Sequence, residues 1–181
     1  VALIVTPGAV DADSYATVAE ADAYHATHLY ASDWTSAVTA TKEKALQMAA
    51  RLLDGMPGAW TGAAAASDQA LRWPRTGMLN IDGFSIDETE VPVRLKNAQA
   101  EFARQLIAGD RTGDNSIVAQ GITSLTAGPV SLSFKETLDR LSALYAVVPD
   151  AVRMLLVPSW LETEAEVRED DSRQGLVIEV L

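Results

Sequence analysis

A chain of 181 residues and 19.3 kDa has the length of one domain with extensions. Its 48% apolar content is enough to build a packed core, which excludes wholesale disorder. A net charge of −11 argues against tight binding to nucleic acid or an anionic membrane and leaves basic proteins and divalent cations open as partners.

Val1 to Val5 is a short β-prone run that Pro7-Gly8 stops, and Asp11 to Tyr15 reads as a turn. Thr17-Val18-Ala19-Glu20 has the form of a capping box, so a helix is expected from Val18 to about Leu29. Its expected apolar face is Val18, Ala21, Leu29 and one edge of Tyr24. Ser32 to Ala40 reads as a loop carrying Trp34. Thr41 is expected to cap a second helix, Lys42 to Asp54, whose Leu46, Ala49, Ala50 and Leu53 share one face. Gly55 suits the left-handed residue after its last turn.

Ala59 to Glu90 is the least regular stretch, and Trp60 and Trp73 are expected to pin it to the helices. Pro92 opens the strongest helix signal, with Leu95, Ala98, Phe102 and Leu106 inward, Lys96 and Glu101 on the polar side, and Gly109 at the end. Ile122 to Phe134 changes period: Val130-Ser131-Leu132-Ser133-Phe134 alternates strictly and reads as one arm of a hairpin. Leu138 to Tyr145 suggests a short helix, and Pro149-Asp150 opens another that runs to about Leu161 with a break near Pro158. Glu162 to Asp171 holds six acids against Arg168 alone, which reads as a solvated tail or a frayed helix. Leu176 to Leu181 is an apolar, β-branched strand.

The absence of cysteine excludes disulfides, thiol catalysis, Fe–S clusters and Cys-based zinc sites. No apolar run reaches the length of a membrane span, and the start lacks the basic region of a signal peptide. The first residue fits removal of an initiator Met before a small residue, or a start further along. His25 and His28 stand i, i+3, but no third histidine or H-E-x-x-H accompanies them, so they read as ordinary, partly exposed side chains. Asp11-x-Asp13 opens like a calcium loop but lacks the glycine and the closing glutamate. No phosphate-loop, dinucleotide or nucleophile-elbow motif is present, so neither an enzyme, a cofactor nor a metal is expected. Arg72-Trp73-Pro74-Arg75 joins bases to an aromatic ring, the combination that holds single-stranded nucleic acid, although Trp73 can equally be core. The terminal strand needs a sheet edge, either Leu3-Ile4-Val5 of the same chain or a neighbour's.

Several segments together resemble a family of tailed-phage proteins. They are D-A-D-S-Y-A-T-V-A-E-A-D-A-Y (Asp11 to Tyr24), L-L-D-G (Leu52 to Gly55), W-x-G (Trp60 to Gly62) and Q-A-L-R-W-P-R-T-G (Gln69 to Gly77). V-P-x-x-L-K-N-A-Q-A-E (Val91 to Glu101) and G-P-V-S-L-S-F (Gly128 to Phe134) complete the set. The family is one of small head–tail connector, or adaptor, proteins, often labelled DnaT-like single-stranded-DNA-binding. The resemblance implies a helical domain with a protruding hairpin that forms a ring, commonly twelve-fold, at the capsid–tail junction. No catalytic residue carries over.

The resulting expectation is a mainly α fold: a small helical bundle with a protruding β-hairpin and a C-terminal β-strand extension. Residues 1–161 would be the helical connector domain, with the hairpin at about 117–134, and 162–181 an acidic spacer plus docking strand. The favoured function is a non-enzymatic neck subunit of a virion, made in the host cytoplasm. It would dock on a portal protein, meet a tail or stopper protein and neighbouring copies of itself, and pass double-stranded DNA through an acidic lumen, with no membrane contact. Leu176, Val177, Ile178, Val180 and Leu181 would dock on the portal, and Ile122, Leu125, Val130, Leu132 and Phe134 would join subunits. The alternative is a single-stranded-DNA-binding replication accessory using Arg72, Trp73 and Arg75, and a third reading is an enzyme or metal protein around His25 and His28.

Overall fold

The computed structural model describes residues 2–56, 60–112, 124–127, 130–133 and 147–161. Helix α1 (Val18–His25) begins with the expected capping box: Thr17 Oγ1 accepts the Glu20 N–H at 3.1 Å, and Glu20 Oε2 accepts the Thr17 N–H at 2.7 Å. It ends short of Leu29. Past Ala26 local side chains compete for the backbone, with Thr27 Oγ1 donating to the Tyr24 carbonyl and Tyr30 N–H donating to His28 Nδ1. The buried face is Ala21 and His25, while Leu29 is 83% exposed.

The expected loop at Ser32 holds a short helix, α2 (Ser32–Ser36), that buries Trp34 completely. Helix α3 (Thr39–Asp54) starts ahead of Lys42, with Val38 rather than Thr41 in the cap position. Leu46, Ala49, Ala50 and Leu53 are its buried face. Gly55 has φ −77°, a right-handed conformation, because its N–H continues the helical pattern to the Arg51 carbonyl. Helix α4 (Val93–Ala108) follows Pro92 and packs along α3, α1 and α2. Leu95, Ala98 and Phe102 face inward as their spacing requires. Glu101, expected on the polar side, is also buried.

Two antiparallel ladders complete the described elements. β1 (Ala63–Ala64) pairs with β2 (Arg75–Thr76), closing the irregular segment on itself. β3 (Ser124–Ala127) pairs with β4 (Val130–Ser133) with Leu125 opposite Leu132, the hairpin signalled by the period-2 pattern. Helix α5 (Asp150–Arg153) and a 3-10 turn (Pro158–Trp160) follow, split where Pro158 cannot continue a helix. The fold is mainly α, with five α-helices among the described residues.

The side chains of the hairpin, with Ile122 and Phe134, lie outside the described residues. So do Leu138 to Tyr145, the acidic stretch 162–171 and Leu176 to Leu181 with its expected docking. The first run, residues 2–5, is not in a strand; Ile4 instead exchanges hydrogen bonds with Asp13, its carbonyl accepting the Asp13 N–H at 2.9 Å and its N–H donating to Asp13 Oδ1 at 2.9 Å.

The helices are tied by one buried amide. Gln99 of α4 accepts the N–H groups of Tyr15 and Ala16 at 3.1 and 2.8 Å. It donates to Ser14 Oγ and to the Leu46 carbonyl at 2.8 and 2.9 Å. All four of its hydrogen-bonding sites are therefore filled inside the core.

Candidate functional site

Arg72-Trp73-Pro74-Arg75 is divided by the fold. Trp73 is 1% exposed and sits between Trp60, edge-on at 5.9 Å between centroids, and Trp160 at 5.0 Å. The Trp73–Pro74 peptide bond is cis. Arg75 is buried: Nε donates to the Thr61 carbonyl at 2.7 Å and Nη1 to the Arg72 carbonyl at 3.1 Å. Nη2 reaches the carbonyls of Trp60 and Gly62 at 3.1 and 3.0 Å. A rigid guanidinium fork fits such converging acceptors. Neither Trp73 nor Arg75 offers a face to a nucleotide in this conformation, and Arg72 is the exposed cation of the tetrapeptide.

Most other described cations are engaged by carboxylates or carbonyls. Lys42 pairs with Asp22 at 2.8 Å and lies 5.2 Å over the Trp34 ring. Lys96 pairs with Glu20 at 2.7 Å and Arg104 with Glu101 at 2.5 Å. Arg94 donates to the Leu155 carbonyl at 3.0 Å, and Arg153 pairs with Asp150.

Lys44, Arg51 and Arg72 carry no carboxylate partner among the described residues, although Arg51 Nε donates to the Gln47 carbonyl of its own helix at 3.3 Å. They are exposed, and none has an ion pair among the described residues. Lys44 and Arg51 are seven residues apart on α3, about two turns, so they share a face roughly 10 Å apart along the axis. The main chain of Arg72 is fastened to the end of the same helix, its N–H donating to Asp54 Oδ2 at 3.0 Å. Two acids beside this ridge are turned inward: Asp13 accepts from Ile4 N–H and Gln47 Nε2, and Asp54 from the Tyr15 hydroxyl and Arg72 N–H. Burial pushes the Asp54 carboxyl up to about 6, against the opposing pull of Tyr15 and Arg72. Among the described residues the ridge gathers three exposed cations on α3 and the segment tied to its end, while Arg111 is exposed elsewhere in the chain. The signal for Lys44 and Arg51 was present in the sequence as two bases at i, i+7 on the polar face of a helix.

His25 and His28 do come together, with ring centroids 5.8 Å apart, but in different settings. His25 is buried rather than partly exposed, against Trp34, with Nε2 3.0 Å from the Ala100 carbonyl. Desolvation holds its pKa below the usual histidine range. His28 Nε2 lies 3.5 Å from Glu101. Burial opposes ionisation of Glu101, yet hydrogen bonds from Arg104 and Gln105 outweigh it and hold the carboxyl below its ordinary range. Among the described residues no three His, Asp or Glu side chains converge as a metal site. No helix of the described residues is long and apolar enough to cross a membrane.

A family model described as "Putative DnaT-like ssDNA binding protein" matches residues 1–169. No curated protein and no solved structure matches the chain. The family match corrects one expectation: the terms connector, portal and virion find no support in it, and the family points to DNA binding.

Proposed function

The chain belongs to the family described as "Putative DnaT-like ssDNA binding protein", and from that premise we propose that it is a non-catalytic accessory protein that binds single-stranded DNA through the ridge of Lys44, Arg51 and Arg72. The observation that carries the reading within the chain is that these three cations are exposed and unpaired among the described residues, on one end-to-end run of α3 and its neighbour.

The net charge of −11 does not prevent this. Nearly half of it resides in Glu162 to Asp171. At physiological salt, charge more than about 8 Å from a phosphate is largely screened, so the charges nearest a bound strand weigh most in the contact. The global charge instead makes binding weak, and three phosphate contacts make it moderately salt-dependent, with a slope of about 2. Among the exposed large hydrophobic side chains of the described residues the aromatics are Tyr30 and Phe84. Tyr30 suits base stacking better, because Phe84 stands in a segment of exposed carboxylates whereas the Tyr30 carbonyl is held by Arg104 and its ring faces solvent.

Fluorescence anisotropy with a labelled oligo-dT and a duplex of equal length tests the reading. Micromolar binding of the single strand, weakened by added salt, is expected. No binding of oligo-dT at low salt and micromolar protein contradicts it.

A further inference from the structure

The segment Leu79 to Ser85 is a tight turn held from both ends. Asn80 Oδ1 accepts the N–H groups of Asp82 and Phe84 at 2.9 and 3.0 Å, and Asn80 N–H donates to the Phe84 carbonyl at 2.8 Å. Gly83 has φ +84°, which only glycine adopts without strain here. The base is anchored to the core: Trp160 Nε1 donates to the Leu79 carbonyl at 2.7 Å, and Ile86 N–H to the Met78 carbonyl at 2.9 Å.

This well-tied turn carries apolar side chains outward. Ile81 is 60% exposed and Phe84 68%, with Leu79 beside them. At its foot lies an open groove of about 510 Å³ lined by Met78, Leu79, Ile86, Asp87 and Glu88 among others. Asp82, Asp87, Glu88 and Glu90 are all exposed, and there is no Lys or Arg from Gly77 to Val93.

We propose that this turn and groove form a docking surface for a basic peptide segment of a partner protein, with an aliphatic or aromatic anchor packing on Ile81 and Phe84 and its Lys or Arg residues facing the four acids. Charge selects the occupant. A nucleic acid or an anionic membrane would be repelled by the four carboxylates. A second copy meeting this surface symmetrically would set acid against acid. A cationic segment neutralises the rim while its anchor removes apolar surface from water. The hydrogen-bonded turn needs little ordering on binding, which lowers the entropic cost of association. The inference is independent of the DNA-binding reading, since no residue of the groove belongs to the ridge on α3.

The test uses the full chain and a short fluorescein-labelled peptide of lysine, arginine and leucine. Controls replace the leucines by serine, or the bases by glutamate. The basic–leucine peptide is expected to bind best, and an Ile81→Ser/Phe84→Ser variant to lose about tenfold or more in affinity. An Asp87→Lys/Glu88→Lys variant is expected to lose both affinity and salt dependence. Unchanged circular dichroism and melting temperature establish that both variants fold. Affinity unaltered in both variants overturns the proposal, as does an absence of peptide binding. Concentration-dependent self-association abolished by Phe84→Ser, with no peptide selectivity, overturns it in favour of a second copy.

Discussion

The Asp54 carboxylate accepts the main-chain N–H of Arg72 at 3.0 Å, so the C-terminal end of α3 and the exposed arginine beside it are held as one unit. The same carboxylate accepts the Tyr15 hydroxyl deep in the protein. One partly buried acid thus connects the core to the surface proposed to meet DNA.

That acid has a pH signature. Desolvation raises the Asp54 pKa from 3.8 to about 6, so between those values the folded state binds the proton more tightly than the unfolded chain. Its contribution to stability therefore falls as pH rises from about 4 to about 6 and stays low above that. Relative to an Asp54→Asn variant, the wild type is expected to lose up to about 3 kcal/mol over this window, measured by urea unfolding at each pH.

His25 acts in the opposite direction. Burial lowers its folded pKa, so its neutral form stabilises the fold above the unfolded value of about 6.5. That contribution disappears as pH falls through the folded pKa. A His25→Phe variant is expected to show a flatter loss of stability with acidification, read from melting temperatures between neutral and acid pH.

Gln99→Leu keeps the volume of the core but leaves the N–H groups of Tyr15 and Ala16 without an acceptor and the Leu46 carbonyl without its side-chain donor. Each unsatisfied buried group costs about 1–3 kcal/mol, so a loss of roughly 3–5 kcal/mol is expected in denaturant titration.

Arg75 and Arg72 are chemically alike and differently used. Arg75→Lys cannot reproduce the fork that reaches Thr61, Arg72, Trp60 and Gly62, and is expected to cost about 2–4 kcal/mol. Arg72→Lys is expected to stay within about 0.5 kcal/mol of wild type, because its side chain is exposed. Thermal unfolding followed by tryptophan fluorescence compares the two directly.

Much of the bundle was legible in the sequence because it rests on local rules. The Thr17–Glu20 capping box, the Leu46 to Leu53 face, the Pro92 start and the Val130 to Ser133 alternation each follow from short-range spacing. What was not legible depends on tertiary burial. Nothing local tells that Trp34 would fold its loop into a helix, that Glu101 and His25 would sink into the core, or that Leu29 would stay outside. The site suffered for the same reason. A basic–aromatic tetrapeptide looks like a nucleotide clamp until the fold spends Trp73 and Arg75 on packing and carbonyl hydrogen bonds. The two bases that remain open on α3 were separated by seven residues and joined to Arg72 only through the Asp54 contact.

The central claim is that the α3 ridge holds the phosphates of a single strand. Its most direct test is the salt dependence of oligo-dT binding for the wild type and for Lys44→Glu/Arg51→Glu, by fluorescence anisotropy. Each phosphate contact contributes about 0.7 to the slope of log affinity against log salt for single strands. The account predicts a weaker complex in the double variant with a slope smaller by roughly 1.4, at unchanged melting temperature. An identical slope and affinity in the two proteins would contradict it.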